Sequence, residues 1–190
     1  AGTTVADDGL VLDAFAAAAQ AAQLPTDGAE FERARRYIVD TMGQSKIVVF
    51  RHLLDGDEQR AQTANAAFEK AYESAISDGG VHPIAGAADT IAALRGAGIK
   101  VALSTGFSSS TQQRLLTALG WAEIADLAIA PSDTLRGRPF PDMILSALIA
   151  LQIDDVREVA VLGDTANDIL SGVRAGAGIV AGTLTGAHDE

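Results

Sequence analysis

The feature that most constrains this chain is a change of periodicity near His82-Pro83. From residue 10 to about residue 77, apolar residues recur at helical spacing almost throughout, with no convincing strand. Residues 10–23 are Ala-rich and break at Pro25, and 28–40 carries Phe31, Ala34 and Ile38 at intervals of three and four. Gly43 interrupts the pattern, 46–54 resumes it as far as Asp55-Gly56-Asp57, and 57–76 is a long helical stretch ending at Asp78-Gly79-Gly80. Beyond His82-Pro83, short apolar runs (99–104, 127–130, 159–162 and 178–181) alternate with helical segments (87–96, 111–119, 141–151 and 166–175).

Such alternation indicates βαβ units, and therefore an α/β fold with a doubly wound parallel sheet covered on both faces. The helical first part reads as a cap inserted into that core: residues 1–9 and 80–190 form the core, and 10–79 the cap. A length of 190 residues suits one domain with an insert, and 48% apolar with 21% charged residues suits a soluble protein with a real core. A net charge of −11 argues against nucleic acid as a partner, because phosphate backbones are held by clustered Lys and Arg. It leaves room for a small phosphorylated ligand, whose charge one Arg and a divalent cation can offset. No apolar run reaches the roughly 18 residues needed to span a bilayer, and no signal peptide is visible, so no membrane partner is expected. The absence of cysteine excludes disulfides, thiolate catalysis and zinc–cysteine sites, which fits a cytoplasmic enzyme.

Ligands of open α/β sheets sit at the carboxyl ends of the strands, and three loops there carry suitable chemistry. In Val161-Leu162-Gly163-Asp164-Thr165-Ala166-Asn167-Asp168, two carboxylates lie four apart where a strand passes into a helix. Mg²⁺ needs oxygen ligands and accepts one or two carboxylates when phosphate and water complete its shell. The ordinary structural role of the same residues is to cap the helix. In Val101-Ala102-Leu103-Ser104-Thr105-Gly106-Phe107-Ser108, a hydroxyl at a strand end precedes a glycine and a helix start, an arrangement suited to phosphate. Ser108 to Ser110 equally well cap the next helix. In Arg136-Gly137-Arg138-Pro139-Phe140-Pro141, an Arg fixed between Gly and Pro can reach a phosphoryl oxygen, although prolines near a helix start are common punctuation.

In this order the three loops resemble the haloacid dehalogenase superfamily of hydrolases. Thr105 falls on its second motif, Arg138 on its third, and Asp164 with Asp168 on its fourth. Ala1-Gly2-Thr3-Thr4 looks like the end of its first motif, in which a nucleophilic Asp stands two positions before this Ala. The resemblance thus implies that the first strand and the nucleophile precede Ala1 in a longer polypeptide. It further implies Mg²⁺ held by that Asp, the backbone carbonyl of Ala1 and Asp164, with Asp168 ligating or orienting from behind. Thr105, Gly106 and Arg138 would bind the transferring phosphoryl group.

Most phosphatases of the superfamily carry Asp where Ala1 stands, as acid and base for the leaving alcohol. A methyl group can do neither. Met42-Gly43-Gln44-Ser45-Lys46-Ile47 resembles the cap segment of the phosphonoacetaldehyde hydrolase branch, which presents a lysine to the active site. A Schiff base at Lys46 would make a carbon leaving group viable where Ala1 gives no acid. The resemblance therefore points to a phosphonatase-like enzyme acting on a small phosphonate. A phosphoglycolate-type or sugar-phosphate phosphatase and a non-catalytic binding protein are the alternatives. Lys46 could also be a simple substrate contact. An apolar helical cap offers a surface for a homodimer. His52 fits a charged helix face, His82 could approach the site, and His188 lies in a polar tail. Trp121 is expected to pack beneath the sheet edge, with Asp7 and Asp8 as solvated hinge residues.

Overall fold

The computed structural model describes residues 2–6, 9–25 and 27–186; Ala1, Asp7, Asp8 and His188 lie outside them. Two short strands, β1 (Val5–Ala6) and β2 (His82–Pro83), pair antiparallel and bracket four helices: α1 (Leu10–Ala21), α2 (Gly28–Asp40), α3 (Lys46–Leu53) and α4 (Glu58–Ser77). Both passages between cap and core therefore run through one small ribbon. His82 is exposed in that ribbon, opposite Ala6.

The cap forms around α4. Its buried Ala61, Ala64, Phe68, Tyr72 and Ile76 follow helical spacing, the small residues admitting α1 and α3 closely against it. Asp57 caps the start, accepting the Arg60 backbone N–H at 3.0 Å. A bidentate Arg51–Glu58 pair, both bonds 2.7 Å, ties the end of α3 to this start, and holds the exposed Glu58 carboxyl down to about 2. The hydrophobic cluster does not stop at the cap. Tyr72 packs on Phe107 of the core, with ring centroids 4.6 Å apart, and Leu115, Leu116 and Trp121 continue it. Trp121 is buried in this same cluster.

The rest is α/β, as the alternation predicts. It runs α5 (Ala87–Gly96), β3 (Ala102–Ser104), α6 (Ser109–Ala118), β4 (Leu127–Ile129), α7 (Asp142–Ala150), β5 (Ala160–Gly163), α8 (Ala166–Ala175) and β6 (Ile179–Gly182). Among the described residues the parallel strands form two separate two-stranded sheets, β3 with β4 and β5 with β6, in registers Ala102↔Leu127 and Ala160↔Ile179. Helix α8 covers one face of β5–β6, whereas Leu162 and Ile179, 59% and 62% exposed, line a face that the described residues leave open. The first core strand starts later than its apolar run at 99–104. Gly98 turns with φ +80° and the Val101 N–H is taken by the Asp126 carboxylate at 2.9 Å, so the ladder begins only at Ala102. Those bonds, with Arg95 and Lys100 nearby, hold Asp126 below the usual carboxylate range. Among the described residues no helix is long and apolar enough to cross a membrane.

Candidate active site

Strand β5 ends at Gly163, and the chain turns at once into α8. Thr165 caps that helix through a capping box: its hydroxyl faces the Asp168 backbone N–H at 3.3 Å, and the Asp168 side chain returns to the Thr165 N–H at 3.1 Å. Asp168 Oδ2 also accepts the Thr165 hydroxyl at 2.5 Å, and its Oδ1 accepts Arg138 Nη1. Both oxygens of Asp168 thus face inward to protein partners. Asp164, one residue past the strand, is buried and accepts the Thr3 hydroxyl on Oδ1 at 2.7 Å. Thr3 belongs to the segment ahead of β1, so the fourth-motif carboxylate and the N-terminal segment share one place.

Arg136 and Arg138, two residues apart, do different work. Arg136 makes a bidentate pair with Asp142, both bonds 2.7 Å, which holds Asp142 below the usual carboxylate range and clamps the loop to the start of α7. Arg138 turns inward, its side chain only 10% exposed, to pair with Asp168. Its Nε finds no acceptor among the described residues. A buried donor left unmet costs roughly 1–3 kcal/mol, so water or a ligand has to supply its acceptor. Helix α8 fastens the same loop from the other side, through Ser171 Oγ to Phe140 O and Arg174 Nη1 to Pro139 O, both 2.9 Å.

The Thr105 hydroxyl accepts the Phe107 N–H at 3.2 Å, and Ser108 caps α6, so the hydroxyl-rich loop is both a helix start and a presented edge. Gly106 lies under the cap. A Cβ there would stand 2.6 Å from the carbonyl oxygen of Gly43, so only glycine lets the two backbones meet. Gly43 itself has φ +85°, and a side chain on it would reach 2.6 Å from the Thr165 hydroxyl. The cap loop thus lies directly on the loops of Thr105, Arg138 and Asp164.

Lys46 opens α3 immediately after that loop and is 6% exposed. Its Nζ stands 5.3, 5.8 and 5.5 Å from the ring centroids of Phe15, Phe68 and Phe107. Two rings come from the cap and the third from the Thr105-Gly106-Phe107 loop, so the amine sits at the boundary, against the phosphate-binding candidate. The structure therefore brings Lys46, Thr105, Gly106, Arg138, Asp164 and Asp168 to one region, while Ala1 lies outside the described residues. His52 is elsewhere, stacked on Tyr37 at 4.1 Å. Sequence reasoning missed Thr3, Gln44 and Asn167. Asn167 stands inside the quoted motif, but its partner lies 125 positions away, a relation that no local pattern contains.

A buried carboxylate at the end of a parallel strand, beside a hydroxyl-bearing loop and under a helical cap, is an arrangement found among α/β hydrolases. Residues 1–176 match the haloacid dehalogenase-like hydrolase family, and the chain belongs to it. Phosphonoacetaldehyde hydrolase of Pseudomonas fluorescens (strain SBW25) is 41% identical over 104 residues, covering 54% of this chain and 38% of that protein. The matched part is thus less than half of that relative. Among solved structures, a hydrolase from Pseudomonas syringae superposes with TM-score 0.84 at 22% identity, covering all of this chain and 84% of the other. A phosphonoacetaldehyde hydrolase-like protein from Oleispira antarctica gives 0.82, also at 22%, covering 98% and 70%.

Proposed function

We propose that this chain carries the cap and most of the core site of a Mg²⁺-dependent phosphonatase that cleaves the C–P bond of phosphonoacetaldehyde. The observation that carries this reading is Lys46, kept from water at the cap–core boundary with its amine against Phe107 of the phosphate-binding loop. In that position the amine condenses with the aldehyde carbon and releases water, giving an iminium. When the C–P bond breaks, its electron pair passes into the iminium to form an enamine. The phosphoryl group passes to an Asp carried upstream of Ala1, as the family resemblance implies. Water then releases phosphate from that Asp; the enamine, once protonated, hydrolyses to acetaldehyde and restores the amine. Around the phosphoryl group, Thr105 and Gly106 supply donors and the unmet Arg138 Nε offsets charge.

Asp164 offers a buried carboxylate, an oxygen donor of the kind a hard cation takes. As the family resemblance implies, the upstream Asp and the Ala1 carbonyl would join Asp164 in holding Mg²⁺, with Asp168 ligating or, through its pair with Arg138, orienting from behind. Bound there, the cation would offset charge on the phosphoryl oxygens. A cap spanning residues 10–79 would exclude water while the enamine exists.

Hydrolysis of a phosphate ester is the second reading. It is favoured by Arg138 and Thr105, which suit a phosphoryl group whatever its leaving group. Borohydride reduction during turnover of phosphonoacetaldehyde tests the first. A reduced two-carbon adduct on Lys46, found by peptide mass, is the expected result. Steady turnover with no adduct on Lys46 would overturn it.

A further inference from the structure

The cap loop ahead of Lys46 is held on the core by a side chain that no step above uses. Asn167, the second residue of α8, is 5% exposed. Its Nδ2 donates to the Met42 carbonyl at 2.7 Å, and its Oδ1 accepts Gln44 Nε2 at 3.1 Å. Met42 and Gln44 stand four and two residues before Lys46. One buried amide thus uses a donor and an acceptor across the cap–core boundary, on the segment that delivers the lysine. The neighbouring contacts, Gly43 beside Thr165 and Gly106 beneath the Gly43 and Gln44 carbonyls, are close packing that permits the approach. Packing of two glycine backbones sets no register, whereas a donor–acceptor pair does.

We infer that Asn167 is the positioning residue that docks the cap loop on the core and fixes where Lys46 stands over the phosphoryl site. The consequence for the amine rests on the Schiff-base reading above; the docking itself does not. Removal of the Asn167 amide leaves the Met42 carbonyl and the Gln44 amide seeking water, which opens the loop. Asn167 lies in the first turn of α8, just after the Asp164-Thr165 turn, so the docking contact and the candidate metal ligand are close in sequence at one end of the helix.

Hydrogen exchange of segment 42–50, together with acylation of the Lys46 amine by an anhydride, tests this without any phosphonate or ester. In Asn167→Ala, exchange in that segment and acylation of Lys46 should both rise about 5- to 100-fold, the range set by one or two unmet buried groups. Gln44→Ala should raise both less. The double variant should be no faster than Asn167→Ala, because Gln44 acts through Asn167. Amides in the middle of α4 should keep their rates. Unchanged exchange in 42–50, an equal rise throughout α4, or strictly multiplicative single effects would each overturn the proposal. If the exchange results hold but no adduct forms on Lys46 during turnover, docking by Asn167 stands and the Schiff-base reading alone falls.

Discussion

At the scale of single residues, the two carboxylates of the Gly163-Asp164 loop divide the work unequally. Asp168 accepts from Thr165 and Arg138 and is bound into the helix cap. Asp164, buried at the strand end with Thr3 on Oδ1, is the carboxylate we propose as metal ligand. Asp164→Asn should therefore abolish metal-dependent phosphate release while leaving the melting temperature within a few degrees, since the amide oxygen can still accept from Thr3. Turnover within about twofold of the parent, read by phosphate release across a Mg²⁺ titration, would remove Asp164 from the site. Asp164, Thr105 and Arg138 could be picked from sequence because each follows a strand end and carries chemistry that its neighbours lack. Asn167 and Thr3 could not be. An Asn in the first turn of a helix and a Thr in a polar segment are ordinary, and only the fold reveals what they reach. Likewise the sequence offers helix capping and metal chemistry as rival roles for the Asp164–Asp168 pair, and Asp168 makes the capping bonds with Thr165.

At the scale of elements, α8 organises the candidate site more than any other helix. Its first turn holds Asp168 and Asn167, and Ser171 and Arg174 fasten the Arg138 loop further along. The capping box at Thr165 sets where this helix begins. Thr165→Ala should cost about 1–2 kcal/mol, the upper range for a lost N-cap, because Asp168 also loses its hydroxyl donor. Thr165→Ser should recover most of that loss. Urea unfolding of both variants checks this, and equal stability of Thr165→Ala and the parent would contradict it. The helices were legible from apolar spacing, with ends within a residue or two, since burial of one stripe is what the spacing records. The start of β3 was not legible, because Asp126 takes the Val101 N–H from another part of the chain. The β1–β2 ribbon was hidden for a similar reason: two residues pairing with two others leave no period to detect.

For the whole molecule, the switch from helical spacing to alternating runs and helices foretold a helical insert on an α/β core. It did not foretell that the two share one aromatic cluster, in which Phe15, Phe50, Phe68 and Tyr72 of the cap continue into Phe107. That continuity places Lys46 among rings from both sides, so the lysine's position is a property of the closed molecule and not of the cap alone. The central claim is that this lysine serves a carbon leaving group. Its most direct test is phosphate release by the natural protein with Mg²⁺, comparing phosphonoacetaldehyde with phosphoglycolate, in the parent and in Lys46→Arg. Release from the aldehyde, reduced at least about a thousandfold by the substitution, is the expected result, since loss of a covalent catalyst removes several kcal/mol of barrier lowering. Release from phosphoglycolate with no response to Lys46→Arg, and none from the aldehyde, would contradict the account and make Lys46 at most a substrate contact.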